Sequence, residues 1–536
     1  MNFKYYLLMF WRENIIVLIW TLIGSACSTI WGLSTSNSLT SLANYDVQGF
    51  IKWIIILFIT LFIWVLQIYL DRLLIAKVIQ KTNIKIREDI AKKVFKLDYQ
   101  KFHKQNEATY VSWLINDIQV INDYGYENLQ MIVRQIANLI FCGIALFSLN
   151  FTLIITTLFL SVVMIIVPKF FSKILNNKMV EVTKANESLT DEVTDSFNGY
   201  DSLFLTEDDQ FLLGKIIKGS EKLAVKKVSY ADLSGKLFAS TNGMSLFSQL
   251  LILVQTGYLF INKLVPIGAI SGAQYFSATI FSSLTGMSAN IIEMRTIDSI
   301  FDKFEKIRTD EKSGKLIEEF SENIKLTDLT YGYNKKESKI LDTINIEIMK
   351  NNKHALIGPS GSGKTTILNI LSGKLSEYKG KVAFDNVDYT SLNFQSLQKN
   401  ITYLKQKPHI FNATIRENIL LGRNISDDVL NQAIRKVGME DWLDSLNYGL
   451  DTVISGNGSN ISGGQAQRIA IARGLISNKN IILFDESTSA LDEKSAFEIE
   501  DYLLKREDIT LIMVSHRLSS NHVIHFDKMY NLGSVI

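Results

Sequence analysis

Gly358-Pro359-Ser360-Gly361-Ser362-Gly363-Lys364-Thr365 stands between two apolar runs, His354-Ala355-Leu356-Ile357 before it and Thr366-Ile367-Leu368-Asn369-Ile370-Leu371 after it. The pattern predicts a buried strand, a glycine-rich loop and a helix. Glycines at this spacing let successive backbone N–H groups wrap a phosphate, and the start of the helix adds the positive end of its dipole. In such a loop the lysine reaches the β- and γ-phosphates and the hydroxyl after it ligates magnesium. Lys364 and Thr365 take those roles here, and the stretch from Gly358 to Thr366 is the expected cradle for ATP with Mg2+.

Further on, Ile481-Ile482-Leu483-Phe484 predicts a second buried strand, and it ends in Asp485 and Glu486. Alone, an acidic pair at a strand end says little. Beside a phosphate loop it supplies a division of labour, with Asp485 in the magnesium shell and Glu486 orienting or deprotonating the water that attacks the γ-phosphate.

A chain of 536 residues exceeds what one core organises, so two or more domains are expected. Residues 1–300 carry long charge-free stretches, whereas 301–536 mix apolar and charged side chains as soluble domains do. The formal net charge of +2 hides no basic block, which argues against nucleic acid as a partner. Cys27 and Cys142 lie in apolar stretches and read as buried thiols, not as a disulfide or a metal pair.

A membrane-spanning helix needs about 20 mostly apolar residues. Five charge-free windows meet or approach this: 14–45, 53–70, 135–168, 237–262 and 264–292. The third is interrupted by Ser148-Leu149-Asn150-Phe151-Thr152 and reads as two helices joined by a tight turn, giving six spans. The first apolar run is too long for a signal peptide and lacks a small-residue cleavage site, so it is expected to be retained as span 1. Lysine-rich connections between spans 2 and 3 and between spans 4 and 5 place both, and both termini, in the cytoplasm. Arg134, at the start of span 3, reads as a side chain snorkelling to the cytoplasmic interface, with a substrate contact as the alternative.

Ile461-Ser462-Gly463-Gly464-Gln465, upstream of Asp485, resembles the Leu-Ser-Gly-Gly-Gln signature of ABC transporters, with Ile461 replacing leucine. The resemblance implies that Ser462, Gly463, Gly464 and Gln465 close over ATP held by the P-loop of a second ATPase domain. It also implies Tyr333 as the aromatic stacked on adenine, and Gln406 as the loop residue that senses the membrane domain and joins Thr365 and Asp485 around Mg2+. Ser489-Ala490-Leu491-Asp492 is similar to the family's D-loop, and His516 to its switch histidine, catalytic together with Glu486 and Gln406. Six spans ahead of the ATPase, with long cytoplasmic connections, look like the exporter-type branch. Leu114-Ile115-Asn116-Asp117-Ile118 is similar to that branch's segment near the first coupling helix.

The expected architecture is thus an α-helical six-span membrane domain over 1–305, a linker over 306–322 and an α/β P-loop ATPase domain of the ABC type over 323–536. Two departures stand out. Gly456 occupies a position where exporter-type members usually carry Glu, and the chain stops at Ile536, soon after the switch histidine. One ATPase per chain implies a second half-transporter as partner, identical or different. The implied protein is an integral, multi-pass membrane protein of a bacterial cell membrane, with its ATPase domain in the cytoplasm. The implied function is ATP-driven export of an amphipathic small molecule, lipid or peptide. The alternatives are an importer on the same fold, for a metal chelate or vitamin, and a nucleotide-gated protein that does not transport. Gln274, Ser277, Phe281, Thr285 and Ser288 in span 6, with Gln249 and Gln255 in span 5, either line a substrate cavity or pack helix against helix. No peptidase domain is expected ahead of span 1.

Overall fold

The computed structural model describes residues 2–200, 209–305, 307, 314–332, 339–455, 458–514 and 520–533, without the side chains of 108, 165, 167–173, 176, 209, 520 and 521. The chain forms two compact units, Met1–Lys96 with Gln105–Arg308, and Leu97–Lys104 with Thr309–Ile536.

The first unit is helical. Trp11–Ala43, Val47–Phe95, Thr109–Leu149 and Gln210–Ile261 are the four described helices long and apolar enough to cross a bilayer. Phe151–Met164 is the apolar start of the longer helix Phe151–Asn198, and Gly268–Met294, diluted by Gly, Ser and Thr, is not among the four. Four described helices thus have the length and apolarity that a span needs, against the six expected. Several helices run far beyond their apolar windows: Val47–Phe95 has 49 residues and Asp209–Ile261 has 53.

The turn expected at Asn150 is present and has a clear cause. Asn150 leaves the helical region (φ −164°, ψ 133°), and its Oδ1 accepts from Thr152 N at 3.0 Å, capping the helix Phe151–Asn198. Where Trp11–Ala43 meets Gly268–Met294, Ser36 Oγ donates to Gly268 O at 2.6 Å. A Cβ at Gly268 would overlap the Ser36 carbonyl, so glycine permits this approach.

Arg134 does not snorkel alone. Its Nη2 lies 2.5 Å from Oδ2 of Asp71, which is only 2 % exposed, and Thr21 Oγ1 donates to the other carboxylate oxygen at 3.3 Å. Three helices therefore share one buried carboxylate, and the half-exposed Arg134 side chain is tethered to it.

In the span 6 stretch, Ser277 and Phe281 are fully buried, and the hydroxyls of Ser277, Thr285 and Ser288 donate to carbonyls of their own helix. Gln249 and Gln255 bond Ser245 and Thr152. Of the two readings of these residues, packing fits Ser277 and Phe281.

The second unit is α/β. A parallel sheet runs β11-β3-β10-β9-β6, with β3 Lys353–Ile357, β6 Ile401–Leu404, β9 Ile481–Asp485, β10 Thr510–Val514 and β11 Lys528–Asn531. An antiparallel sheet runs β2-β1-β4-β5, from β1 Asn323–Tyr331, β2 Leu341–Met349, β4 Lys379–Phe384 and β5 Val387–Asp388, and a separate antiparallel pair joins β7 Ala413–Thr414 to β8 Val453–Ile454. Alternation along β9 feeds two cores: Ile481 and Leu483 join the cluster shared with the antiparallel sheet, while Ile482 and Phe484 join that of the helices beyond.

Residues 97–104 belong to this second unit although they lie in the first long connection. Their short helix Tyr99–Phe102 is tied down where Ser376 Oγ donates to Gln100 Oε1 at 3.0 Å. The stretch 114–118 lies instead in the helix Glu107–Val120 of the first unit.

Candidate functional site

The phosphate loop leaves the C-terminal end of β3 and enters the helix Lys364–Leu371. Gly361 and Gly363 hold φ of +84° and +90°, conformations that cost a glycine little. A Cβ on Gly363 would also stand 2.5 Å from Leu341 Cδ2. Lys364 Nζ donates to the carbonyls of Gly358 and Pro359, both at 2.8 Å, so the ammonium is folded back on its own loop. Ser362 Oγ is buried without a partner among the described residues, a polar atom available to a ligand at the loop's centre.

Parallel pairing brings the end of β9 beside this loop. Thr365 Oγ1 donates to Asp485 Oδ1 at 3.2 Å, so the two expected magnesium ligands converge across 120 residues of sequence. Both are hard oxygen donors, the set Mg2+ prefers. Tyr403 on β6 donates to the other oxygen, Asp485 Oδ2, at 2.9 Å. Glu486 follows with φ +47°, a left-handed conformation uncommon for a side chain of its size, held by its N–H donating to Val514 O. Gln406 Nε2 donates to Glu486 Oε2 at 3.0 Å. Thr365, Asp485, Glu486 and Gln406 thus lie together. Gln406 contacts the carboxylate of Glu486, while among the described contacts of Thr365 and Asp485 it does not appear.

Tyr403 also stacks beneath Lys374, whose Nζ lies 3.7 Å from the ring centroid, with Tyr99 on another side at 5.5 Å. Burial, assisted by Lys405, lowers the Lys374 ammonium to about 7. Neither Tyr403 nor Lys374 was marked by the sequence reading.

The signature stretch caps a helix. Ser462 Oγ accepts from Gln465 N at 3.2 Å, and Gln465 Oε1 accepts from Ser462 N at 2.7 Å, a reciprocal capping box at the start of Gly463–Leu475. Gly464 runs so close to the D-loop that a Cβ there would sit 3.0 Å from Ala490 O. Ser462, Gly463, Gly464 and Gln465 line an open concavity of about 760 Å³ together with Trp442, Arg468 and Asp492. The described phosphate-loop residues do not contribute to it. Asp492 caps the next helix by accepting from Ser495 N at 2.9 Å, a bond that holds its carboxyl below the usual range. Tyr333, His516 and Gly456 lie outside the described residues.

Residues 14–284 match the family model for the ABC transporter transmembrane region, and residues 341–489 match that for the ABC transporter. The chain belongs to the ABC transporter family. It is an ATP-driven half-transporter, with a helical transmembrane domain ahead of an ATP-binding domain, and an integral membrane protein. The transporter is 26 % identical over 466 residues to the ATP-dependent lipid A-core flippase of Francisella novicida, covering 82 % of this chain and 76 % of that one. Over 532 residues it is 26 % identical to the multidrug resistance-like ATP-binding protein MdlB of Buchnera aphidicola, covering 95 % and 89 %. Its fold matches that of a bacterial Atm1-family ABC exporter with ATP bound, with a TM-score of 0.83, 20 % identity, and 97 % and 93 % coverage.

Proposed function

We propose that two such chains, identical or different, form an exporter of an amphipathic lipid, small molecule or peptide in a bacterial cell membrane. The observation that carries the dimer is the signature concavity. The described phosphate-loop residues of the same chain do not line it, which supports its serving a nucleotide held by a second ATPase domain. Export and an amphipathic substrate are supported by the named activities of relatives, a lipid A-core flippase and a multidrug resistance-like protein, and the importer reading is not favoured. Six spans within 1–305, a linker over 306–322 and an ATPase domain over 323–536 are the division we adopt.

In this reading Lys364 leaves the Gly358 and Pro359 carbonyls to meet the β- and γ-phosphates, and the loop N–H groups with Ser362 Oγ close around the phosphates. Thr365 and Asp485, joined by Gln406, would hold Mg2+, which would supply charge neutralisation at the phosphates. Glu486 orients and deprotonates the attacking water, with Gln406 fixing its carboxylate. Tyr333 is the proposed aromatic for stacking on adenine, and His516 the proposed switch histidine. Closure of the two ATPase domains opens the membrane domains outward, and hydrolysis resets them. Glu486→Gln, assayed in reconstituted vesicles, is expected to abolish turnover and keep ATP binding; retained hydrolysis would sink the assignment.

A further inference from the structure

The side chain of Gln467, two residues beyond the signature, is only 4 % exposed, and both its polar atoms are engaged. Its Nε2 donates to Gln406 O at 3.0 Å and to Ser489 Oγ at 3.2 Å, while its Oε1 accepts from Ala490 N at 2.9 Å. Only one orientation of the amide satisfies this set, because a carbonyl and an N–H must face opposite ends. The two loops it joins both lead to Glu486. Gln406, held by its carbonyl, donates through its own amide to Glu486 Oε2 at 3.0 Å. Ser489, held by its hydroxyl, donates its N–H to Glu486 O at 3.1 Å.

We infer that Gln467 is a positioning residue for hydrolysis, registering the Gln406 loop and the Ser489-Ala490 loop on either side of Glu486. It stands on the helix that begins with Ser462, Gly463, Gly464 and Gln465. Any shift of that helix, when the signature engages the partner's nucleotide, pulls through Gln467 on this chain's own Gln406 and Glu486. Gln467 is therefore the link by which occupancy of one ATP site sets the geometry of the other. The inference rests on the reading of Glu486 as the hydrolytic carboxylate.

The chemistry of the amide supplies the test. Gln467→Glu keeps an acceptor for Ala490 N but loses both donors and sets a negative charge against the Gln406 carbonyl; Gln467→Met removes all three bonds at similar volume. Full-length protein in lipid nanodiscs is assayed for ATP turnover and its Hill coefficient, and for equilibrium binding of a fluorescent ATP analogue. Both variants are expected to lower kcat about tenfold with KM and analogue affinity within about twofold, and to bring the Hill coefficient toward one. Each variant combined with Gln406→Ala should lose no more than the worse single change. Wild-type kcat and Hill coefficient, or losses that multiply with that of Gln406→Ala, would overturn the inference. Should both variants misfold, Ser489→Ala removes one bond from an exposed hydroxyl and is held to the same non-additivity. Glu486→Gln serves as the separate control: turnover by it defeats the site reading, whereas a normal Gln467→Glu beside an inactive Glu486→Gln defeats only this inference.

Discussion

Tyr403 and Asp485, 82 residues apart, are joined by a 2.9 Å hydrogen bond from the phenol to Oδ2 of the carboxylate that Thr365 holds by its other oxygen. A buried carboxylate needs donors, and before nucleotide arrives these two hydroxyls supply them. Tyr403→Phe should leave Asp485 Oδ2 short of a partner, at a cost of about 1–3 kcal/mol. The melting temperature of the nucleotide-free protein is expected to fall, and Mg-ATP to restore most of it by recruiting the same carboxylate. An unchanged melting temperature would mean that solvent replaces the phenol without loss.

Lys374 lies against Tyr403, and its ammonium is lowered to about 7 from an ordinary 10.5 by burial and by Lys405, with Asp485 opposing the shift. Between these values the unfolded chain binds a proton that the folded chain does not, so this residue makes stability rise with pH across the window. Below about 7 the folded state carries the full penalty of a buried charge, and above 10.5 it carries none. Lys374→Met should therefore be more stable than wild type at pH 7, by a margin that shrinks as pH is raised toward 10. Parallel melting curves at several pH values check this, and a margin that does not vary with pH would exclude Lys374 as the cause.

Arg134 and Asp71 predict a different kind of loss. Arg134→Ala leaves the nearly buried Asp71 carboxylate with Thr21 as its remaining donor among the described residues; because the Arg134 side chain is itself about half exposed, the loss lies below the about 3–5 kcal/mol of a fully buried pair. Little folded protein should survive detergent extraction, read by size-exclusion profile. Asp71→Asn with Arg134→Gln removes both charges and should recover much of the yield; if the single and double variants behave alike, charge pairing is not what holds these helices.

These residues also mark how far the sequence can be read. The phosphate loop was legible because its chemistry is local: glycine spacing, a flanking strand and a flanking helix all fall within the 18 residues 354–371. The turn at Asn150 was legible for the same reason, since its cap is made two residues away. Tyr403 and Gln467 were not, because a tyrosine in an apolar strand and a glutamine in a helix take their meaning from partners 82 and 61 residues away. Asp71 was missed because it sits one residue past an apolar window and so counted as that window's end, although the helix continues to Phe95. Span 6 carried too many small polar residues for hydropathy to speak clearly, and their hydroxyls turn out to bond back to their own helix. The attachment of residues 97–104 to the ATPase unit has no local signal at all.

Gln465 separates two demands made on one side chain. In the capping box its Oε1 accepts from Ser462 N at 2.7 Å, and a glutamate at this position can do the same. A negative charge in the first turn also suits the helix dipole, by about 0.3–1 kcal/mol. Gln465→Glu should therefore melt at or slightly above the wild-type temperature. If the signature faces the partner's triphosphate, however, the added charge lies where anionic phosphates must approach, and ATP turnover should fall at least tenfold. The melting temperature and the rate would then move in opposite directions, an outcome that a purely structural role for Gln465 cannot produce. Equal turnover in the variant would show that this concavity does not receive a nucleotide, and the dimeric arrangement proposed above would lose its main support.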